Sequence, residues 1–259
     1  AFLGIPQLDG DPDVVVMSVP YELTTSYGQG TCHGPIATIS ASAQVELYDP
    51  LLPNDLPCGF SIHTAKPWDG SGNTLQEQLD GISRYVASFE SGFPIILGGE
   101  HGMLPAIIRA VSERVDLQEL TIVQIDAHAD LREHLNGDPD SHACAARRTL
   151  ELGVNKILQI GIRAISREEV EFAESDERVD LWLARDILNP CGGEEHWKSW
   201  LSTLSSLNGP VWLTLDIDGL NPAYAPTTGT PVPGGLAYWQ IVDTIETISL
   251  NKSINWIGA

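Results

Sequence analysis

Leu120-Thr121-Ile122-Val123-Gln124-Ile125 runs directly into Asp126-Ala127-His128-Ala129-Asp130: an apolar, β-branched stretch that ends in alternating acids and a histidine. The run has the length and composition of a buried strand. Residues at i, i+2 and i+4 of an extended strand share one side, so this reading expects Asp126, His128 and Asp130 to point the same way. Two other stretches have the same design. In Ile95-Ile96-Leu97-Gly98-Gly99-Glu100-His101, the two glycines are expected to turn the backbone sharply and present His101. In Trp212-Leu213-Thr214-Leu215-Asp216-Ile217-Asp218, two carboxylates are expected to share a side.

Outward from these stretches the pattern alternates. Strands are expected at 13–19, 94–97, 120–125, 156–162, 211–217 and 254–258, with helices at 35–47, 75–89, 103–114, 143–152, 194–207 and 236–250. Short apolar strands between helices imply parallel pairing and an α/β fold. Periodicity does not separate a closed barrel from an open sheet at 259 residues. In either case function collects at the carboxyl ends of the strands, where the three polar clusters fall. No linker or repeat interrupts the chain, so residues 1–259 are read as a single catalytic domain.

Thirty-five Asp and Glu oppose fourteen Lys and Arg, a formal charge of −21. Such a field repels phosphate backbones and anionic lipid, which argues against nucleic-acid and membrane partners and for cationic ones. Cys32, Cys58, Cys144 and Cys191 have no metal or redox spacing and are read as reduced thiols. No signal peptide or spanning run is evident, and a cytoplasmic location is expected. Gly28 to Gly34 does not match a dinucleotide fingerprint, and no Walker lysine motif is present.

Carboxylates and histidines placed directly after buried runs are costly without a compensating cation. Asp126, Asp130, Asp216 and Asp218 balance two divalent ions. With His101 and His128 they form a six-residue donor set for a pair of ions about 3.5–4 Å apart. Rich in oxygen and free of thiols, that set favours Mn²⁺ over structural Zn²⁺.

Gly98-Gly99-Glu100-His101, Asp126-Ala127-His128-Ala129-Asp130, and Asp216-Ile217-Asp218 followed by Ala225-Pro226-Thr227-Thr228-Gly229-Thr230-Pro231 resemble the ureohydrolases, the arginase and agmatinase family. The resemblance spans Ser18 to Ala259. Val19 to Tyr27, Gly34-Pro35, and the stretch from Asp130 through His142 to Arg148 resemble its agmatinase branch. The resemblance implies an arginase-like three-layer α/β sandwich, with a mainly parallel eight-stranded sheet and helices on both faces. It implies two Mn²⁺ per chain, ligated by His101, Asp126, His128, Asp130, Asp216 and Asp218. It implies hydrolysis of a guanidinium group to urea and an amine, agmatine giving putrescine. It implies a homo-oligomer, trimer or hexamer, and a small cationic guanidino substrate. By position, His142 resembles the family's proton-shuttling histidine, with His134 in the same loop as the alternative.

The chemistry agrees with this reading. Guanidinium carbon is a poor electrophile, a water bridging two divalent ions loses its proton readily, and a histidine near neutral pH protonates the departing nitrogen. The chain departs from the family's pattern at Gly102, Asn221 and Thr227, the first two expected to loosen support of the metal site. It also ends at Ala259, before the position of the family's guanidinium-pairing Glu, and so reads as truncated at its C-terminus.

Glu100 is expected to support the site rather than ligate, and Arg147 and Arg148 to make surface or intersubunit pairs. His33, His63 and His196 have no partner pattern. The 227–235 loop is expected to shape the site. Other readings stay open: hydrolysis of another guanidino or formimino compound (guanidinobutyrate, guanidinopropionate, free guanidine, arginine), a non-catalytic homologue, or a single-zinc deacetylase.

Overall fold

The computed structural model describes residues 1–259. In chain order the elements are β1 (Val14–Val19), α1 (Gly34–Ser42), β2 (Ile62–Thr64), α2 (Leu75–Ala87), β3 (Phe93–Gly98), α3 (Leu104–Val111), β4 (Thr121–Ile125), α4 (Ala145–Glu151), β5 (Lys156–Ile162), α5 (Arg167–Ser175), β6 (Val179–Leu183), α6 (Ala184–Ile187), α7 (Gly193–Ser206), β7 (Gly209–Leu215), α8 (Tyr238–Leu250) and β8 (Ile254–Gly258).

Every strand pairing is parallel, in a three-stranded ladder β2-β1-β3 and a five-stranded ladder β6-β5-β4-β7-β8. Two backbone hydrogen bonds connect them: Ala259 N–H to Pro94 O at 3.0 Å and Ile96 N–H to Ala259 O at 2.7 Å. Ring packing of Phe93 on Trp256, with centroids 5.2 Å apart, reinforces this junction. The strand order is therefore β2-β1-β3-β8-β7-β4-β5-β6, an open sheet, which settles the choice against a closed barrel. The expected sheet of mainly parallel strands is parallel throughout, but its two ladders meet only at the end of β8.

Alternate residues of the central strands enter two separate cores, which accounts for their nearly continuous apolar runs. Ile122 and Ile157 face one core with Ile82 of α2 and Ile108 of α3. Val123, Ile125, Leu158 and Ile160 face the other with Trp200 and Leu204 of α7 and Ile241 and Ile248 of α8. Each fully buried aliphatic side chain contributes about 1.5–3 kcal/mol, so the two cores rather than any salt bridge hold the layers together.

Several element ends differ from the sequence reading. The first helix ends at Ser42 rather than near residue 47. Ser42 Oγ donates back to Ile39 O at 2.7 Å and accepts Leu3 N–H at 2.8 Å, offering the chain partners outside the helix. β7 stops at Leu215, since Asp216 caps a 3₁₀ turn at 217–219. β2, α5 and β6 are elements that periodicity did not reveal. β2 has only three residues, and α5 is dense in acids but opens on a Ser166–Glu169 capping box. No helix is long and apolar enough to cross a membrane.

Candidate metal centre

Because the strands are parallel, β3, β4 and β7 end on one edge of the sheet, and the polar clusters meet there. Asp126 follows β4 directly, its N–H bonded to Ile160 O at 3.0 Å. The chain then leaves the extended conformation: Asp130 has φ +53°, a left-handed conformation that Asp tolerates better than most residues. The three side chains of Asp126, His128 and Asp130 therefore do not line up along a strand end, as alternation alone suggested. A turn divides them between two groups.

The first group is His101, Asp126 and Asp130; the second is Asp126, His128 and Asp218. His101 Nδ1 lies 3.0 Å from both Asp126 Oδ2 and Asp130 Oδ2. His128 Nδ1 lies 3.1 Å from Asp218 Oδ2 and 3.7 Å from Asp126 Oδ1. Asp126 thus directs one oxygen into each triad. Asp218 reaches its place through a close approach that Gly219 permits: a Cβ there would stand 2.9 Å from Asp126 N. Asp216 is in neither triad. Its Oδ1 accepts Asp218 N–H at 2.9 Å, and the charges of Asp126, Asp218 and His101 all act on its buried carboxyl.

The electrostatics are those of a site with too many carboxylates for its protein cations. Burial opposes charge on His128, but hydrogen bonds from its ring to Asp126 and Asp218 outweigh this and push its pKa up to about 11. The same contest, with Asp126 and Asp130, holds His101 well above the usual range. Burial, and then the charge of Asp126, push Asp130 up to about 6. Burial and the charges of Asp126 and Asp218 likewise raise Asp216 far above an ordinary carboxylate. The guanidinium of Arg163, within reach of the charges of Asp218 and Asp126, is directed to backbone oxygens instead: those of Gly161, Asp218, Gly219, Leu220 and Val232, at 2.6–3.4 Å. Two imidazole donors and shared carboxylates, with no thiol, suit a pair of divalent ions of oxygen-preferring character. His101 is also prepared for ligation through Nδ1, since its Nε2 lies 2.9 Å from Thr214 Oγ1, which fixes the ring from behind.

The sequence profile of the arginase family matches residues 12–259. The chain belongs to the arginase family. An N(1)-aminopropylagmatine ureohydrolase of Synechocystis sp. is 36% identical over 256 residues, covering 94% of this chain and 79% of that protein. An agmatinase of Pyrococcus horikoshii is 32% identical, covering 96% and 84%. The crystal structure of the agmatine ureohydrolase of Thermoplasma volcanium superposes with a TM-score of 0.78 at 28% identity, covering 95% and 80%. This arginase-family chain is therefore a metal-dependent amidinohydrolase by class, in the agmatinase-like branch.

Other residues singled out in the sequence fall as follows. His142 opens the 3₁₀ turn 142–144, which packs on the 101–103 turn beside the first triad. His134 is exposed, as are His33, His63 and His196. Arg147 lies over the Phe172 ring at 4.4 Å, and Arg148 pairs with Glu151 at 3.0 Å. Gly98 and Gly99 do not adopt positive φ; what Gly99 supplies is room, since a Cβ would collide with Tyr21 O. Asn221 Oδ1 caps its own turn at Ala223 N and contacts none of the candidate ligands. In the 227–235 loop, Thr230 Oγ1 donates to Asp218 Oδ2 at 3.2 Å, and Val232 O accepts from Arg163.

Sequence reasoning missed Gln124, Gln159, Thr24 and Arg163 as supports of the site. Gln124 and Gln159 did carry a signal: each is a polar residue inside an otherwise apolar strand.

Proposed function

We propose that the chain hydrolyses the guanidinium group of agmatine to urea and putrescine, with two Mn²⁺ held by His101, Asp126, His128, Asp130, Asp216 and Asp218. The observation that carries this reading is the division of Asp126, one oxygen to the His101–Asp130 side and one to the His128–Asp218 side. A shared carboxylate supports a pair of ions over the single zinc of a deacetylase. When bound, such a pair supplies an acidified water and Lewis-acid polarisation.

The protein's own groups do the rest. The acidic edge attracts a dication and disfavours anions. His142 gives a proton to the departing amine nitrogen, a role worth roughly 10²–10⁴ in rate. Thr230, through Asp218, ties the 227–235 loop to the site, so that loop walls one side of the substrate space.

A second reading is N(1)-aminopropylagmatine as substrate, favoured by the 36% identical relative of that name. Both compounds present the same guanidinium and differ in the distal amine. The test is urea release from agmatine, N(1)-aminopropylagmatine, guanidinobutyrate and arginine, with metal stoichiometry read on the same preparation. Highest kcat/KM on agmatine with two manganese ions per chain supports the first reading. No urea from any guanidino compound by the metal-loaded protein refutes both. The resemblance also supports a cytoplasmic homo-oligomer, a trimer or hexamer, which sedimentation of the purified protein checks.

A further inference from the structure

Glu100 is buried at 6% exposure beside the candidate ligand His101, yet it points away from both triads. Its carboxylate is directed at the loop that follows β1. Oε2 accepts Leu23 N–H at 3.0 Å and Thr24 N–H at 2.8 Å, and Oε1 accepts the Thr24 hydroxyl at 2.6 Å. Thr24 Oγ1 in turn accepts His142 N–H at 2.9 Å and stands 3.2 Å from His142 Nδ1.

Proton counting on Thr24 decides the direction of that last contact. A threonine hydroxyl has one hydrogen and two lone pairs. The hydrogen goes to Glu100, whose oxygens are already oriented as acceptors by two backbone N–H groups, and the short distance is that of a charge-assisted bond. Both lone pairs then face His142, one taking its main-chain N–H and the other requiring a hydrogen on Nδ1. The other hydroxyl near Nδ1, Ser141 Oγ, is buried and stands farther off at 3.3 Å, within reach to accept the same hydrogen. Gly102 lies against both ends of the arrangement. A Cβ at that position would press on Glu100 Oε1 at 3.2 Å and on His142 Cα and N at 3.3 Å. A side chain at this position would shift these neighbours by a few tenths of an ångström.

We infer that Thr24, held by Glu100, is a positioning residue that fixes His142 as the tautomer with its hydrogen on Nδ1. Nε2 is then left as the nitrogen that takes up and delivers the proton of the reaction. The functional half of this inference rests on the proposed shuttle role of His142; the tautomer does not. The hydrogen-bond partner of one ring nitrogen sets the proton on the other, and a histidine locked in the wrong tautomer is a poor shuttle even where its position is unchanged.

The experiment is long-range ¹H–¹⁵N correlation NMR of the histidine rings in the ¹⁵N-labelled, Mg²⁺-loaded protein, with His142 assigned by loss of its signals in His142→Asn. The expected spectrum has a protonated His142 Nδ1 and an unprotonated Nε2 in the neutral ring. Thr24→Val is expected to move that pattern toward the other tautomer, while Thr24→Ser and Ser141→Ala retain it. In kinetics, Thr24→Val lowers kcat roughly 10–100-fold with KM and metal content unchanged, and Thr24→Ser restores most of it. An Nε2-protonated ring in the starting protein, or a tautomer indifferent to Thr24→Val, overturns the inference. Ser141→Ala shifting the tautomer while Thr24→Ser does not would overturn it as well. Because the spectrum needs no turnover, an Nδ1–H ring without urea release would count against the proposed function alone, and urea release with an Nε2–H ring against this inference alone.

Discussion

Gln124 Nε2 donates to Asp126 Oδ2 across 2.9 Å, both residues fully enclosed at the carboxyl end of β4. Gln124 is itself oriented from behind: Gln159 Nε2 bonds its Oε1 at 2.8 Å and Ala129 O at 2.6 Å. A buried amide relay therefore fixes the carboxylate that the two triads share. Gln124→Leu keeps the volume and removes the donor. Divalent-ion affinity is expected to fall about 10–100-fold, as for other groups that orient metal ligands. Metal titration followed by calorimetry measures it, and an unchanged affinity would remove the relay from the metal site.

The unequal sharing of ligands predicts unequal losses. Asp126 enters both triads and Asp218 only one. Asp126→Ala is expected to leave no tightly held ion and no activity. Asp218→Ala is expected to keep one ion, on the His101 side, while losing urea release. Elemental analysis after gel filtration distinguishes the two; equal metal content in both variants contradicts the shared role of Asp126.

Metal loading should release protons. In the metal-free protein the carboxylates of Asp126, Asp130 and Asp218 favour the protonated rings of His128, pushed up to about 11, and of His101, also held high. An ion ligated at Nδ1 displaces that proton, so affinity rises with pH and falls in acid. Calorimetry in buffers of different ionisation enthalpy is expected to report net proton release at pH 7. Proton-neutral binding would show that these imidazoles are not the ligands.

Arg163 gathers carbonyl oxygens from the bend at Gly161, the turn after β7, and the 227–235 loop. Lysine cannot reproduce its planar, multidirectional donors. Arg163→Lys is expected to cost about 1.5–3 kcal/mol per bond left unmade by the charged group. It should lower Tm by several degrees and loosen the Thr230–Asp218 contact. Thermal unfolding, with KM for the guanidino substrate, tests this; an unaltered Tm would reduce Arg163 to a bystander.

His142 and His134 occupy the same stretch of chain but different surroundings. His142 is half-buried against the 101–103 turn, and His134 is exposed. His142→Asn is expected to slow turnover at least 10²-fold with metal content intact, and His134→Asn to leave turnover within a factor of two or so. The reverse result would transfer the shuttle role to His134.

The architecture was legible where a strand was long and buried on both faces. β1, β4, β5 and β7 are visible as apolar runs because parallel strands between two helical layers leave no polar face, and the half-buried β3 and β8 by their apolar residues alone. The three residues of β2 and the Asp180-interrupted β6 carry too little pattern to stand out. The candidate site was legible as a set, since acids and histidines directly after such runs are conspicuous on grounds of desolvation alone.

Sequence by itself determined the parallel α/β class, the edge at which polar groups collect, and the donor atoms on offer, because alternation and charge cost are local properties of the chain. Tertiary structure decided how those donors divide. Asp130 turns left-handed at φ +53°, one oxygen of Asp216 caps a turn, and Gly219 lets Asp218 approach Asp126, none of which strand spacing encodes. Tertiary structure likewise brought Thr24, Glu100 and His142 together, across separations of 76 and 118 residues. Residues so distant along the chain leave no periodic trace, and only the packing of β1, β3 and the 142–144 turn at one edge of the sheet gives them a common hydrogen-bond account.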